Sequence, residues 1–112
     1  MALVHDHVTG LVSHCVRRSL KKSYCFLALY DKSGYVPKHK DRPQCEYTLG
    51  VCLRAKRPWP FFVEGKRIVL RDGEAVLYSG ASTHWRNRMR RENEVDMVLF
   101  HFVDREFRGP LD

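Results

Sequence analysis

His39-Lys40-Asp41 sets an imidazole and a carboxylate two residues apart, and in an extended chain side chains at i and i+2 project to the same side. A nitrogen and an oxygen donor would then converge. His84 lies just beyond the run Val76-Leu77-Tyr78 and the turn at Gly80, where closure of a sheet would bring a second nitrogen donor beside the first pair. Two imidazoles and one carboxylate on one face of a metal leave positions open for oxidant and cosubstrate, an arrangement that suits non-haem Fe(II). On spacing alone, His39-Lys40-Asp41 is more often a solvated polar loop, and His84 an ordinary histidine near a turn. The elements that carry them must decide.

Those elements are mostly short strands. From Thr9 to about Lys22 the residues Leu11, Val12, Cys15, Val16 and Leu20 return at helical spacing, with Arg17, Arg18, Lys21 and Lys22 left for solvent, which predicts one amphipathic N-terminal helix over about 9–22. Ser23 to Tyr30 is aromatic and apolar and ends in the turn cluster Asp31-Lys32-Ser33-Gly34, so it reads as a strand. Cys45 to Arg54 alternates, with Cys45, Tyr47, Leu49, Val51 and Leu53 on one face, the pattern of a half-buried strand. Arg57-Pro58-Trp59-Pro60 interrupts it. Short apolar runs follow at 61–63, 68–70 and 75–78, punctuated by Gly65, Gly73 and Gly80, and Val95 to Val103 is a last long strand. Regularly spaced short strands with turn signals point to a mainly β sandwich or barrel over about 23–103.

Length and composition bound the function. A chain of 112 residues organises a single core and hence one domain over 1–112. No apolar run approaches the roughly 20 residues of a membrane helix, and the opening MALVHDHVTG lacks the apolar stretch of a secretory signal, so a cytoplasmic setting without a membrane partner is expected. Cys15, Cys25, Cys45 and Cys52 form no CxxC pair, which argues for reduced, mostly buried thiols over a zinc knuckle or disulfide framework. A formal charge of +7 is compatible with nucleic acid or an acidic partner but does not by itself favour either. Nothing in the sequence fixes an oligomeric state.

The residues around the metal-type pair resemble the 2-oxoglutarate and Fe(II)-dependent oxygenases, in particular their prolyl-hydroxylase-like branch. Leu27 to Tyr30, a short turn, then Gly34-Tyr-Val-Pro-Lys-His39-Lys-Asp41-Arg-Pro is similar to the tyrosine-bearing strand and HxD strand of that family. Ile68 to His84, with glycines at 73 and 80, resembles its passage of apolar strand, glycine turn, apolar strand and distal histidine. The resemblance spans about Ser23 to Val103. It implies a double-stranded β-helix, a cupin-like jelly roll, with Fe(II) held by His39, Asp41 and His84 and no catalytic side chain beyond those ligands. It further implies 2-oxoglutarate and O2 as cosubstrates in hydroxylation of an unidentified protein side chain or small molecule.

The family's cation for the far carboxylate of 2-oxoglutarate stands about ten residues after the distal histidine, where this chain has Glu94. Two arginines in the run 84–91, Arg86 and Arg91, are the substitutes, Arg86 first because it shares the parity of His84; Tyr30 matches a tyrosine that hydrogen-bonds the same carboxylate in related enzymes. His101 reads as a core histidine satisfied within the last strand, and His5 and His7 as groups on a mobile chain end. Two other readings compete with the oxygenase. One is a β-helix binding module with a basic surface and reduced turnover; the other is a cupin-type metalloenzyme that needs no 2-oxoglutarate.

Overall fold

A computed structural model of the chain describes residues 2–112. It contains a helix α1 (Ala2–Val16) and eight strands: β1 (Leu20–Tyr30), β2 (Val36–His39), β3 (Tyr47–Ala55), β4 (Phe61–Val63), β5 (Lys66–Ile68), β6 (Ala75–Ser79), β7 (His84–Arg86) and β8 (Val95–Asp104). The strands form two antiparallel four-stranded sheets, in the orders β1-β8-β3-β6 and β2-β7-β4-β5. Strands alternate between the two sheets along much of the chain, so the architecture is the double-stranded β-helix expected from the sequence, with one helix before it.

The helix lies earlier than periodicity predicts. Its inward stripe is His5, Val8, Val12 and Val16, with Val12 1% exposed, whereas Leu11 is 61% exposed. A histidine in the stripe is invisible to an apolar count, and Leu20, which extended the apparent period, is the buried first residue of β1. Arg17 takes φ 57°. There its amide bonds the His14 carbonyl at 3.3 Å and Arg18 N–H reaches the Ser13 carbonyl at 3.1 Å, the paired closing bonds of a Schellman motif with a non-glycine residue in the left-handed position. The chain end predicted to be mobile is instead anchored. His5 is 3% exposed, donates Nε2–H to the His101 carbonyl at 3.0 Å and packs its ring on Phe100 and Phe102.

β8 is the spine, because it pairs with β1 on one side and β3 on the other and is buried on both faces. Val98, Phe100 and Phe102 face α1, while Val95, Met97, Leu99 and His101 face the space between the sheets. β3 has the same double role. Its alternating apolar face, Tyr47, Leu49 and Val51, packs under the helix, and the opposite face, Thr48, Gly50 and Cys52, is the more deeply buried one. Cys45, counted with that strand from the sequence, lies instead in a 3-10 turn, Pro43–Cys45. All four cysteines are free, but only Cys45 and Cys52 are buried.

The minor sheet is held by tight turns. β4 and β5 are joined by Glu64 (φ 49°) and Gly65 (φ 78°), two consecutive left-handed residues of the kind a two-residue antiparallel hairpin requires. Burial of β8 under α1 is expected to dominate stability. Phe102→Ala, at a side chain with no exposed surface, should cost about 3–5 kcal/mol in urea unfolding, against less than about 1 kcal/mol for Leu29→Ala, whose side chain is 67% exposed.

Candidate metal centre

Register brings the three donors together. His39 ends β2 and pairs directly with His84, which opens β7, and Asp41 follows His39 in the loop that leads to the 3-10 turn. One ligand atom from each of the three residues lies within 4.8 Å of the others. Asp41 Oδ1 is 3.0 Å from His84 Nε2 and 3.3 Å from His39 Nε2. The imidazole rings meet edge to face at 4.3 Å.

The backbone fixes which nitrogen each ring presents. His39 Nδ1 donates to the Pro37 carbonyl at 2.7 Å and His84 Nδ1 to the Ser82 carbonyl at 2.8 Å. Each imidazole thereby carries its proton away from Asp41 when neutral, and turns an Nε2 lone pair toward a carboxylate oxygen. Lone pairs facing an anion at about 3 Å repel unless a cation, a proton or a metal ion, sits among them. The proton alternative shows on His84: burial acts to lower its pKa, but the hydrogen bond to Asp41 and that to Ser82 together raise it above the ordinary value. Asp41 Oδ2, moreover, is buried with no hydrogen-bond partner among the described residues. The donor set and this orphaned oxygen fit a divalent cation, with the Nδ1–carbonyl bonds as the orienting outer contacts that metal-bound histidines make.

Asp41 is placed by a close approach of backbone. Its amide bonds the Gly80 carbonyl and the Gly80 amide bonds the Glu46 carbonyl, both at 2.8 Å. A Cβ on Gly80 would overlap the Cys45 carbonyl oxygen and press on Asp41 Cβ. Glycine is required here by space and not by torsion.

The three donors open on a cavity of about 320 Å³ between the sheets. Phe61, Tyr78, Met97 and Leu99 make its walls apolar. Arg86, two residues after His84 on β7, is 7% exposed and lines the same cavity. Its guanidinium donates to the Trp59 carbonyl at 2.6 Å, approaches Met97 Sδ at 3.7 Å and stacks over Trp59 and Phe61 at 4.6 and 5.4 Å. No carboxylate lies within salt-bridge distance of it among the described residues. Burial lowers its pKa, yet arginine remains charged in proteins, so the cavity holds a buried cation without its anion. Tyr30 lies nearby, edge-on to Trp59 at 4.9 Å, with its hydroxyl pKa raised by burial.

Not every candidate from the sequence is in this cavity. Arg91 is exposed and lines a separate depression with Arg57, Pro58 and Phe62. It lies in an irregular loop before β8, with no strand to turn it inward. Glu94 is outside as well, paired with Arg54 at 3.0 Å. His101, read as a satisfied core histidine, is only half satisfied: Nδ1 meets Thr48 Oγ1 at 2.8 Å, Nε2 has no partner among the described residues, and the ring lines the cavity against Tyr24 at 4.6 Å. Parity along β8 with Met97 and Leu99 was the signal that could have found it.

No protein-family model matches this chain, and no curated protein matches it significantly. Solved structures do. AviO1 from Streptomyces viridochromogenes superposes with a TM-score of 0.76 at 14% identity, covering 92% of this chain and 59% of that one. A cupin protein from Bacteroides fragilis gives a TM-score of 0.55 at 11% identity, over 76% and 69% of the two chains. An RmlC-like cupin from Shewanella frigidimarina gives 0.52 at 13%, over 78% and 77%. The chain thus spans less than two thirds of AviO1. The fold is that of the cupins, and the likeness to 2-oxoglutarate oxygenases read from the sequence narrows here to the double-stranded β-helix. No described helix is long and apolar enough to cross a membrane.

Two outcomes follow from this geometry. Burial depresses the His101 pKa from 6.5 to about 4, so on acidification the unfolded chain takes up this proton before the folded one. Stability is then lost as the pH falls from about 6.5 to about 4, by on the order of 3 kcal/mol from this group; the difference in urea-unfolding free energy between wild type and His101→Gln, followed against pH, measures it. Gly80→Ala should weaken Fe(II) or Co(II) binding by roughly tenfold or more in calorimetric titration, because a methyl there would push Asp41 out of place, and losing a contact that orients a ligand typically costs that much.

Proposed function

We propose that this protein is an Fe(II)- and 2-oxoglutarate-dependent dioxygenase that hydroxylates a protein side chain or a small molecule. The observation that carries the reading is the pairing, in one cavity, of a two-histidine, one-carboxylate cluster with a buried guanidinium that lacks an anionic partner. The strand spacing suits the cosubstrate. His84 and Arg86 sit two residues apart on β7, roughly 7 Å at strand rise, about the length of a five-carbon dicarboxylate whose keto-acid end meets a metal and whose far carboxylate meets a cation. Bound by His39, Asp41 and His84, iron would supply the redox chemistry by which O2 and 2-oxoglutarate oxidise a C–H bond, with succinate and CO2 as coproducts.

The side chains have separable tasks. Arg86 offers a planar fork to the far carboxylate, and it is held for that by the Trp59 carbonyl and the Trp59 ring. Tyr30, across Trp59, is the hydroxyl donor beside it. The apolar wall lowers the polarity around Arg86 and His84, which strengthens the charge contacts inside it. Two bonds from Nδ1 to carbonyls hold the His39 and His84 rings at the angle that ligation needs.

A cupin-type metalloenzyme independent of 2-oxoglutarate is the second reading, favoured by Glu94 standing where the family places its cation and by the contacts that already occupy Arg86. An anaerobic titration of the Fe(II)-loaded protein with 2-oxoglutarate separates the two, through the visible charge-transfer band of the bidentate chelate. A saturable band is expected, abolished by His84→Ala. Arg86→Gln should raise the apparent Kd for 2-oxoglutarate at least about tenfold, or ~1.4 kcal/mol, with Fe(II) affinity retained, while Arg91→Ala leaves it unchanged. Fe(II) binding without any band supports the second reading, and equal losses for Arg86 and Arg91 would remove the assigned carboxylate site.

A further inference from the structure

The outer face of the minor sheet carries a row of side chains that the cavity does not use. Phe62 on β4 pairs with Trp85 on β7 and with Arg67 on β5, and Lys38 of β2 reaches over the Trp85 ring at 4.7 Å. In sheet order the row reads Lys38, Trp85, Phe62, Arg67. The two aromatic rings stack at 5.2 Å and 7°, and a cation closes each end. Trp85 points outward because its neighbours His84 and Arg86 point into the cavity. α1 lies against the other sheet, so it does not cover this row.

The row runs on into a depression of about 650 Å³ lined by Arg57, Arg67, Arg88, Arg90 and Arg91 and by the edge of Phe62, with no acidic residue in its lining. Arg88 stacks over the half-exposed Tyr35 at 4.5 Å. None of Lys38, Arg57, Arg67, Arg88, Arg90 or Arg91 has a carboxylate within salt-bridge distance among the described residues. On the major sheet, by contrast, Arg54 is neutralised by Glu94 and Asp96. This face therefore carries a cluster of cations without ion-pair partners beside two stacked aromatic rings.

We infer that this face binds single-stranded nucleic acid, with the arginines and Lys38 on backbone phosphates and Trp85 and Phe62 as an aromatic platform for bases. Regularly spaced anions match a row of unpaired cations, and base stacking on aromatic side chains is the sequence-tolerant contact that accompanies them in single-strand binding. An acidic polypeptide would satisfy the charges but leave the aromatic platform without a planar partner. The inference does not depend on the metal or on 2-oxoglutarate, since the row and the ligands are on opposite sides of one sheet.

Fluorescence anisotropy of metal-free protein with a labelled ~20-nucleotide single strand tests it. If about four phosphates are neutralised, the affinity should fall roughly 50-fold between about 50 and 200 mM salt. Lys38→Glu/Arg67→Glu and Arg88→Glu/Arg90→Glu should each weaken binding by at least about tenfold, with a shallower salt slope. Arg105→Glu/Arg108→Glu removes the same charge from exposed positions beyond β8 and should change it less than about threefold. Trp85→Leu should lose affinity at fixed net charge, by roughly 5- to 150-fold, the worth of one stacked base. Thermal unfolding confirms that each variant is folded. No binding at low salt would overturn the inference, as would equal losses in the remote control or competition by poly-glutamate as effective as that by unlabelled oligonucleotide.

Discussion

Three lone-pair donors meeting at one point is the constraint on which the site depends. Asp41 Oδ1 faces two Nε2 atoms whose rings are each tied by Nδ1 to a carbonyl two residues upstream. That convergence is unfavourable without a cation, and it persists because separate parts of the fold impose it. The β2–β7 register sets His39 against His84, and the Gly80 crossing sets Asp41 against both. Cys45 and the entry to β3 meet the same crossing through the Gly80 amide and the Glu46 carbonyl, so the major sheet and the three donors share one support.

A second charge problem lies at the other end of β7. Burying a guanidinium without a carboxylate costs several kcal/mol unless hydrogen bonds and ring faces replace water, and Arg86 recovers part of that from Trp59, Phe61 and Met97. Trp59 is consequently more than a wall. It stacks on Arg86, meets Tyr30 and donates its indole N–H to the Asn87 carbonyl at 2.8 Å, linking the break Arg57-Pro58-Trp59-Pro60 to the loop after β7. The cavity is left polar at both ends, carboxylate and imidazoles at one and a cation at the other, with apolar walls between them.

The strands were legible in the sequence because alternation and turn glycines are local signals: β1, β3, β6 and β8 fall within a few residues of where patterning puts them, and Gly73 has the positive φ of 84° its turn implies. The HxD pair and the distal histidine were singled out by the resemblance to the oxygenases, since spacing alone reads as a polar loop, and it is the β2–β7 register that brings the three side chains together. What patterning could not give was tertiary. The apolar face of β3 was readable as buried, but not that it lies under α1 while Gly50 lines the cavity and Thr48 meets the His101 ring. His5 was unreadable as a helix-face residue because its burial depends on the His101 carbonyl, 96 positions away. Parity with His84 ranked Arg86 above Arg91, but only if the strand continued, and where β7 ends, at Arg86, is set by the tertiary pairing of that strand.

The three donors also differ in exposure. The His84 side chain is 4% exposed and Asp41 13%, whereas His39 is 39% exposed. The first two are locked by packing, His84 against Phe61 and Tyr78 and Asp41 by the Gly80 crossing. His39 ends a four-residue strand at the edge of its sheet and borders solvent. A metal ion and its small ligands would therefore enter past His39 onto a preformed His84–Asp41 pair. His39 is thus the donor at the mouth of the cavity, whereas His84 and Asp41 are tied into the core, so a change at His39 would disturb the packing of the barrel least.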